Sequence, residues 1–176
     1  MKAEQVIATI EFQEFIKSCR SYCEILERNE EIDSTEFLIA VQNLLTQLYA
    51  KAVNFRTVEL ETDVEFKREI EKEKFKKIMN RTSENIGQNQ LYWTIFDPTE
   101  NVFGNEPPVM GDLLDDLMDI YQDIKRELLV LDIDTVESRE SAVWGSNFLF
   151  WNHWGLHAID AMRTIHYVLE KTEKYK

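Results

Sequence analysis

No glycine or proline occurs before Gly87 in this 176-residue chain; all five glycines and three prolines lie at or beyond that point. A long opening stretch without a strong breaker favours extended helices and disfavours turn-rich β folds, which need such residues every few positions. The first 86 residues should therefore read as helices with few interruptions. Most of the breakers crowd between Pro98 and Gly111, so DPTENVFGNEPPVMG marks the principal loop.

Apolar periodicity fills in the helices. Phe12, Phe15, Ile16, Cys19, Tyr22, Cys23 and Leu26 recur at three- and four-residue steps, one stripe of a helix over roughly 4–29. Asp33 followed by Glu36 has the spacing of a reciprocal N-terminal cap, and Phe37, Val41, Leu44, Leu45, Leu48 and Ala52 form the next stripe. Residues 54–66 alternate Val58, Leu60 and Val64 with polar side chains. A lone strand has no partner, so this reads as an extended connection. A third helix is predicted near 67–86, with Phe75, Ile78 and Met79 inward and Glu69–Lys72 and Glu73–Lys76/Lys77 pairs outward. A fourth covers about 112–131. The fifth starts at Asp134, paired with Glu137 as a cap, and runs towards the C-terminus, where Lys171, Lys174 and Lys176 suit the negative dipole end. A straight rod of that length would span about 60 Å, against about 40 Å for a domain of this size, so a bend is expected near Gly145 or Gly155.

The class that follows is all-α: an irregular antiparallel bundle of about five or six helices, one domain over 1–176, with the fourth and fifth helices adjacent through the short link LDID. Hydrophobic residues at 44% exclude a disordered chain. Lys and Arg number 20 against 33 Asp and Glu, a net charge of −13, which argues against nucleic acid as a partner. No run reaches the roughly 18 apolar residues of a membrane span. The amphipathic N-terminus lacks a signal-peptide pattern. Cys19 and Cys23, four apart on one helix, read as free core thiols, so the chain is expected to be cytoplasmic. Monomer and homodimer are both consistent, with Trp93 and Phe96 as candidate apolar contact residues.

The fourth helix separates into two faces. Leu113, Leu117, Ile120, Tyr121, Ile124 and Leu128 fall on one, and Asp112, Asp116, Asp119 and Asp123 line another about 140° away. Helix capping and the positive dipole end account for Asp112, Asp115 and Asp116. They do not account for Asp119 and Asp123, which repel their neighbours at i,i+4 unless something cationic faces them. The segment DDLMD matches the DDxxD pattern of isoprenoid synthases, but those chains are much longer and carry a second acidic motif that is missing here. The row is also reminiscent of the acidic helices of all-α nucleotide pyrophosphatases, without their Glu-rich partner motif on a preceding helix.

The segment FLFWNHWGLHAIDAMRTIH carries all three histidines. His153 and His157 share a helical face, and Asp160 follows one turn later. Such a set can ligate a divalent metal or hydrogen-bond to the aspartate row across a bundle. Trp144, Trp151, Trp154 and Phe148 are expected to surround this face with dry, bulky groups. His166 points the other way and reads as a packing histidine. The leading reading is a buried Asp–His network that fixes helix packing. The second is a metal site made of Asp116, Asp119, Asp123, His153, His157 and Asp160. The third treats the two segments as unconnected. Trp154 stands where a zincin needs Glu, and no GxSxG or glycine-rich phosphate loop is present.

The residues YC at 22–23, LYW at 91–93, DDLMDIYQD at 115–123 and HWGLHA at 153–158 together resemble a bacterial helical family, the domain of unknown function numbered 5063. The resemblance implies a single all-α cytoplasmic domain. It implies no activity and carries over no catalytic residue. Two functions follow from the residues themselves. One is a non-enzymatic binding or adaptor module for a basic or protein partner, with a structural Asp–His network and no certain cofactor. The other is a metal-dependent, hydrolase-like enzyme using Mg²⁺, Mn²⁺ or Zn²⁺ at the Asp row and His pair. The sequence is compatible with either and leaves open whether the chain is an enzyme.

Overall fold

A computed structural model describes residues 2–30, 32–95, 99 and 107–172. Helices α1 (Ala3–Ile7), α2 (Ile10–Glu27), α3 (Ser34–Ala52) and α4 (Lys72–Ile86) precede a two-stranded hairpin, β1 (Leu91–Thr94) and β2 (Val109–Asp112). Helix α5 (Leu113–Leu131) follows directly. Helices α6 (Val136–Leu149) and α7 (Gly155–Lys171) are joined without a loop by a wide π turn, Phe150–Trp154. With α6 and α7 taken as one rod, six helices make up a mostly helical domain among the described residues, as expected.

The core is the set of predicted stripes. Phe12, Phe15, Cys19, Tyr22 and Leu26 of α2, and Phe37, Val41, Leu45 and Leu48 of α3, are buried with Leu113, Leu117, Ile120, Tyr121 and Ile124 of α5. Both cysteines are free and buried, and desolvation raises both thiols, Cys23 to about 12. Tyr22 donates its hydroxyl to the Leu117 carbonyl at 2.9 Å, pinning α2 to α5. Helix α5 packs against α6 and α7, the adjacency that the short link required. Among the described residues, no helix is long and apolar enough to cross a membrane.

Several boundaries differ from expectation for local reasons. The first helix breaks at Thr9, whose hydroxyl donates to the Val6 carbonyl at 2.6 Å and accepts the Phe12 N–H at 3.3 Å, so the side chain caps α2 rather than continuing α1. The third predicted helix starts at Lys72, not 67. Arg68 is held by Glu127 (2.8 Å) and Ser141 (2.6 Å), and Glu140 accepts the Glu61 and Thr62 N–H groups, which keep residues 56–71 stretched over α5 and α6. Glu69 pairs with Lys67 instead of Lys72. The cap of α6 is Thr135 with Ser138, not Asp134 with Glu137; Asp134 takes a left-handed φ of 64° and pairs with Arg139. The expected loop at 98–111 ends as a strand: Leu91–Thr94 and Val109–Asp112 pair antiparallel, with Tyr92 opposite Gly111. Phe96, Lys174 and Lys176 lie outside the described residues.

Candidate metal centre

Helix α5 presents its aspartates to the α6–α7 rod. Asp112 is the N-cap, accepting the Leu114 N–H at 2.8 Å. The next three of the row, Asp116, Asp119 and Asp123, look at the two histidines. Asp116 and Asp123 are each only 5% exposed, so the row is not a solvated face.

The π turn that carries His153 ends just before Gly155, one of the two glycines at which a bend was expected. Gly145 remains inside α6. A Cβ on Gly155 would lie 2.4 Å from the Phe150 carbonyl oxygen. The wide turn needs glycine at that point because the widened backbone passes where a side chain would start. Phe150 and Trp154 are buried at this turn, whereas Trp151 and Phe148 are exposed and Trp144 is half-buried, stacked on Phe148. The aromatic surround is thus one-sided. His166 is exposed rather than packed.

Two hydrogen bonds organise the imidazoles. His153 Nδ1 lies 2.7 Å from Asp123 Oδ2, and His157 Nδ1 lies 2.7 Å from Asp116 Oδ1. A carboxylate only accepts, so each Nδ1 carries the proton and each neutral ring keeps its lone pair on Nε2. His157 Nε2 faces Asp119 Oδ2 at 3.6 Å. The two rings are 4.8 Å apart by centroid and inclined at 68°. One donor atom each from Asp119, His153 and His157 fall within 4.8 Å of one another. Tetrahedral ligands at Zn²⁺ distances sit about 3.3 Å apart. From its 4.8 Å limit the cluster would need to contract by about 1.5 Å at its widest, within the reach of side-chain rotation.

The electrostatics follow from burial and charge density. Burial pushes the Asp123 carboxyl up against the opposing pull of His153, and it raises Asp115, with Asp119 adding to the effect. The hydrogen bond to Asp116 holds the His157 pKa above its ordinary value. Asp160, expected in the same ligand set, stands apart. It accepts from Arg163 (3.1 Å) and Thr94 (3.4 Å), and burial raises its carboxyl. Of the six candidate residues, Asp119, His153 and His157 converge as donors, Asp116 and Asp123 stand behind the rings, and Asp160 braces the hairpin.

Sequence reasoning missed Tyr92, Thr94 and Arg163. Tyr92 donates to Asp116 Oδ2 at 2.5 Å, and Arg163 donates to Thr94 Oγ1 at 2.6 Å. The available signal was the alternation in LYWT, which places residues 92 and 94 on one face of a strand.

A search of curated proteins finds no match. Among solved structures, protein BF1032 from Bacteroides fragilis is similar at 24% identity with a TM-score of 0.77, covering 94% of this chain and 99% of that one. At that identity the likeness speaks to the fold alone. The family model described as a domain of unknown function, DUF5063, matches residues 6–171, and the chain belongs to that family.

Proposed function

We propose that this protein binds a divalent transition metal between α5 and the α6–α7 rod, with Asp119, His153 and His157 as ligands. The single observation that carries the reading is that both Nδ1 atoms are tied to deep carboxylates, which frees both Nε2 atoms as donors, while one donor atom each of His153, His157 and Asp119 lies within 4.8 Å of the others. Carboxylate–histidine pairing of this kind orients metal-bound imidazoles and raises their basicity. Two imidazoles and one carboxylate suit Zn²⁺ or Fe²⁺ better than Mg²⁺, which takes oxygen ligands.

Three protein ligands leave a coordination position for water, and the His153 side chain is 45% exposed, so that position opens to solvent. A metal there would act as a Lewis acid in hydrolysis, with bound water as the nucleophile. The alternative is a non-enzymatic module in which the Asp–His pairs only lock the helices. The outward apolar residues Leu91, Trp93 and Ile95 support a protein partner for such a module.

The two readings part at Asp119, which helix locking does not need. Isothermal titration of untagged protein with Zn²⁺ should give about one site, and Asp119→Ala should weaken it at least tenfold while leaving Tm nearly unchanged. No binding by the wild-type protein, with no thermal shift in Zn²⁺ or Mn²⁺, would leave helix locking as the role of the cluster.

A further inference from the structure

The hairpin is docked with its faces inverted. A two-stranded ribbon is barely stable alone and normally holds on by burying apolar side chains. Here the inward pair on β1 is Tyr92 and Thr94, while Leu91 and Trp93 point outward, Trp93 at 72% exposure. The Tyr92 ring packs at the edge of the core, and three polar contacts attach β1 to the bundle: Tyr92 to Asp116, and Thr94 to Arg163 and Asp160.

Gly111, opposite Tyr92 in the register, makes the first of these contacts possible. A Cβ there would lie 2.3 Å from the Tyr92 ring, so the ring crosses β2 over bare backbone to reach α5. Its hydroxyl occupies Asp116 Oδ2, which leaves Oδ1 for His157 Nδ1. The carboxylate is held at both oxygens and cannot rotate away from the imidazole.

We propose that the β1–β2 hairpin is a positioning element, fixing the orientation and tautomer of His157 through Tyr92 and Asp116. Its consequence for metal affinity rests on the metal-site reading above; its effect on the imidazole does not. Tyr92 is a positioning residue in this arrangement, since it touches a carboxylate behind a ligand and not the ligand itself.

The test uses the full chain with Tyr92→Phe, which deletes one hydroxyl, and Gly111→Ala, which displaces the ring but keeps the hydroxyl. Trp93→Ala on the outward face is the control. In metal-free protein, ¹⁵N NMR of the His157 ring should show one tautomer, protonated at Nδ1, in the wild type and the control, and a mixture in both variants. Zn²⁺ affinity should fall about tenfold in both variants and stay within about twofold in the control. An unchanged tautomer together with unchanged affinity in Tyr92→Phe and Gly111→Ala overturns the proposal. A wild type that binds no Zn²⁺ but shows the tautomer change on Tyr92→Phe removes the metal reading and sustains the positioning role.

Discussion

His157 Nδ1 and Asp116 Oδ1 lie 2.7 Å apart, joining the first turn of α7 to the first turn of α5 across 41 residues of chain. The contact is charge-assisted whenever the imidazole is protonated, and it is why the His157 pKa lies above its ordinary value. A histidine that holds its proton more tightly when folded stabilises the fold fully below its unfolded pKa of about 6.5, and loses that contribution as pH rises through the folded value. The carboxyls of Asp115, Asp123, Asp160 and Glu127, all raised chiefly by burial, act with the same sign from about pH 4 upward. Metal-free protein should therefore lose stability as pH rises from about 4, and lose more above about pH 6.5 as His157 gives up its proton. Urea denaturation across that range checks it, and Asp116→Asn should flatten the part above about pH 6.5.

Gly155 should not accept a side chain. Alanine there meets the Phe150 carbonyl oxygen at 2.4 Å, a backbone atom that can move only if the wide turn rearranges. A destabilisation of about 1–3 kcal/mol is expected from overpacking, with loss of the His153–His157 geometry. Thermal unfolding reads the first effect, and the NMR shifts of the two imidazoles read the second.

Glu127 is buried beside Asp123, with Arg68 on Oε1 at 2.8 Å and no hydrogen-bond partner for Oε2 among the described residues. Removing Arg68 leaves a buried carboxyl without its cation. Arg68→Ala should cost about 2–4 kcal/mol, less than a fully buried pair would because the guanidinium is partly exposed. Glu127→Gln in the Arg68→Ala background should recover a large part of this. Unfolding free energies of the two single variants and the double variant form the cycle that decides it.

The helices and the facing of α5 on α7 were legible in the sequence because they depend on periodicity and breaker placement. The aspartate row and the histidine pair could be found the same way, since a helix repeats its faces every three to four residues. Ligand roles were not legible. Asp160 has the spacing of a third ligand, yet Arg163 and Thr94 claim it. Asp116 and Asp123 match Asp119 in type and spacing, and only the depth of each carboxylate separates the hydrogen-bond partners from the proposed ligand. The hairpin was missed because four-residue strands carry too little pattern, and because a long loop signal masked the pairing of Tyr92 with Gly111. Near Gly155, where a bend was expected, the structure has a wide turn whose hydrogen-bond register has no sequence signature.

Anomalous diffraction from crystals of the Zn²⁺-loaded protein tests the metal assignment most directly. The expected map has one strong peak, about 2.0–2.2 Å from an Asp119 carboxylate oxygen and from the Nε2 atoms of His153 and His157. A protein that takes up Zn²⁺ but places it elsewhere, or shows no peak between these three side chains, would contradict it.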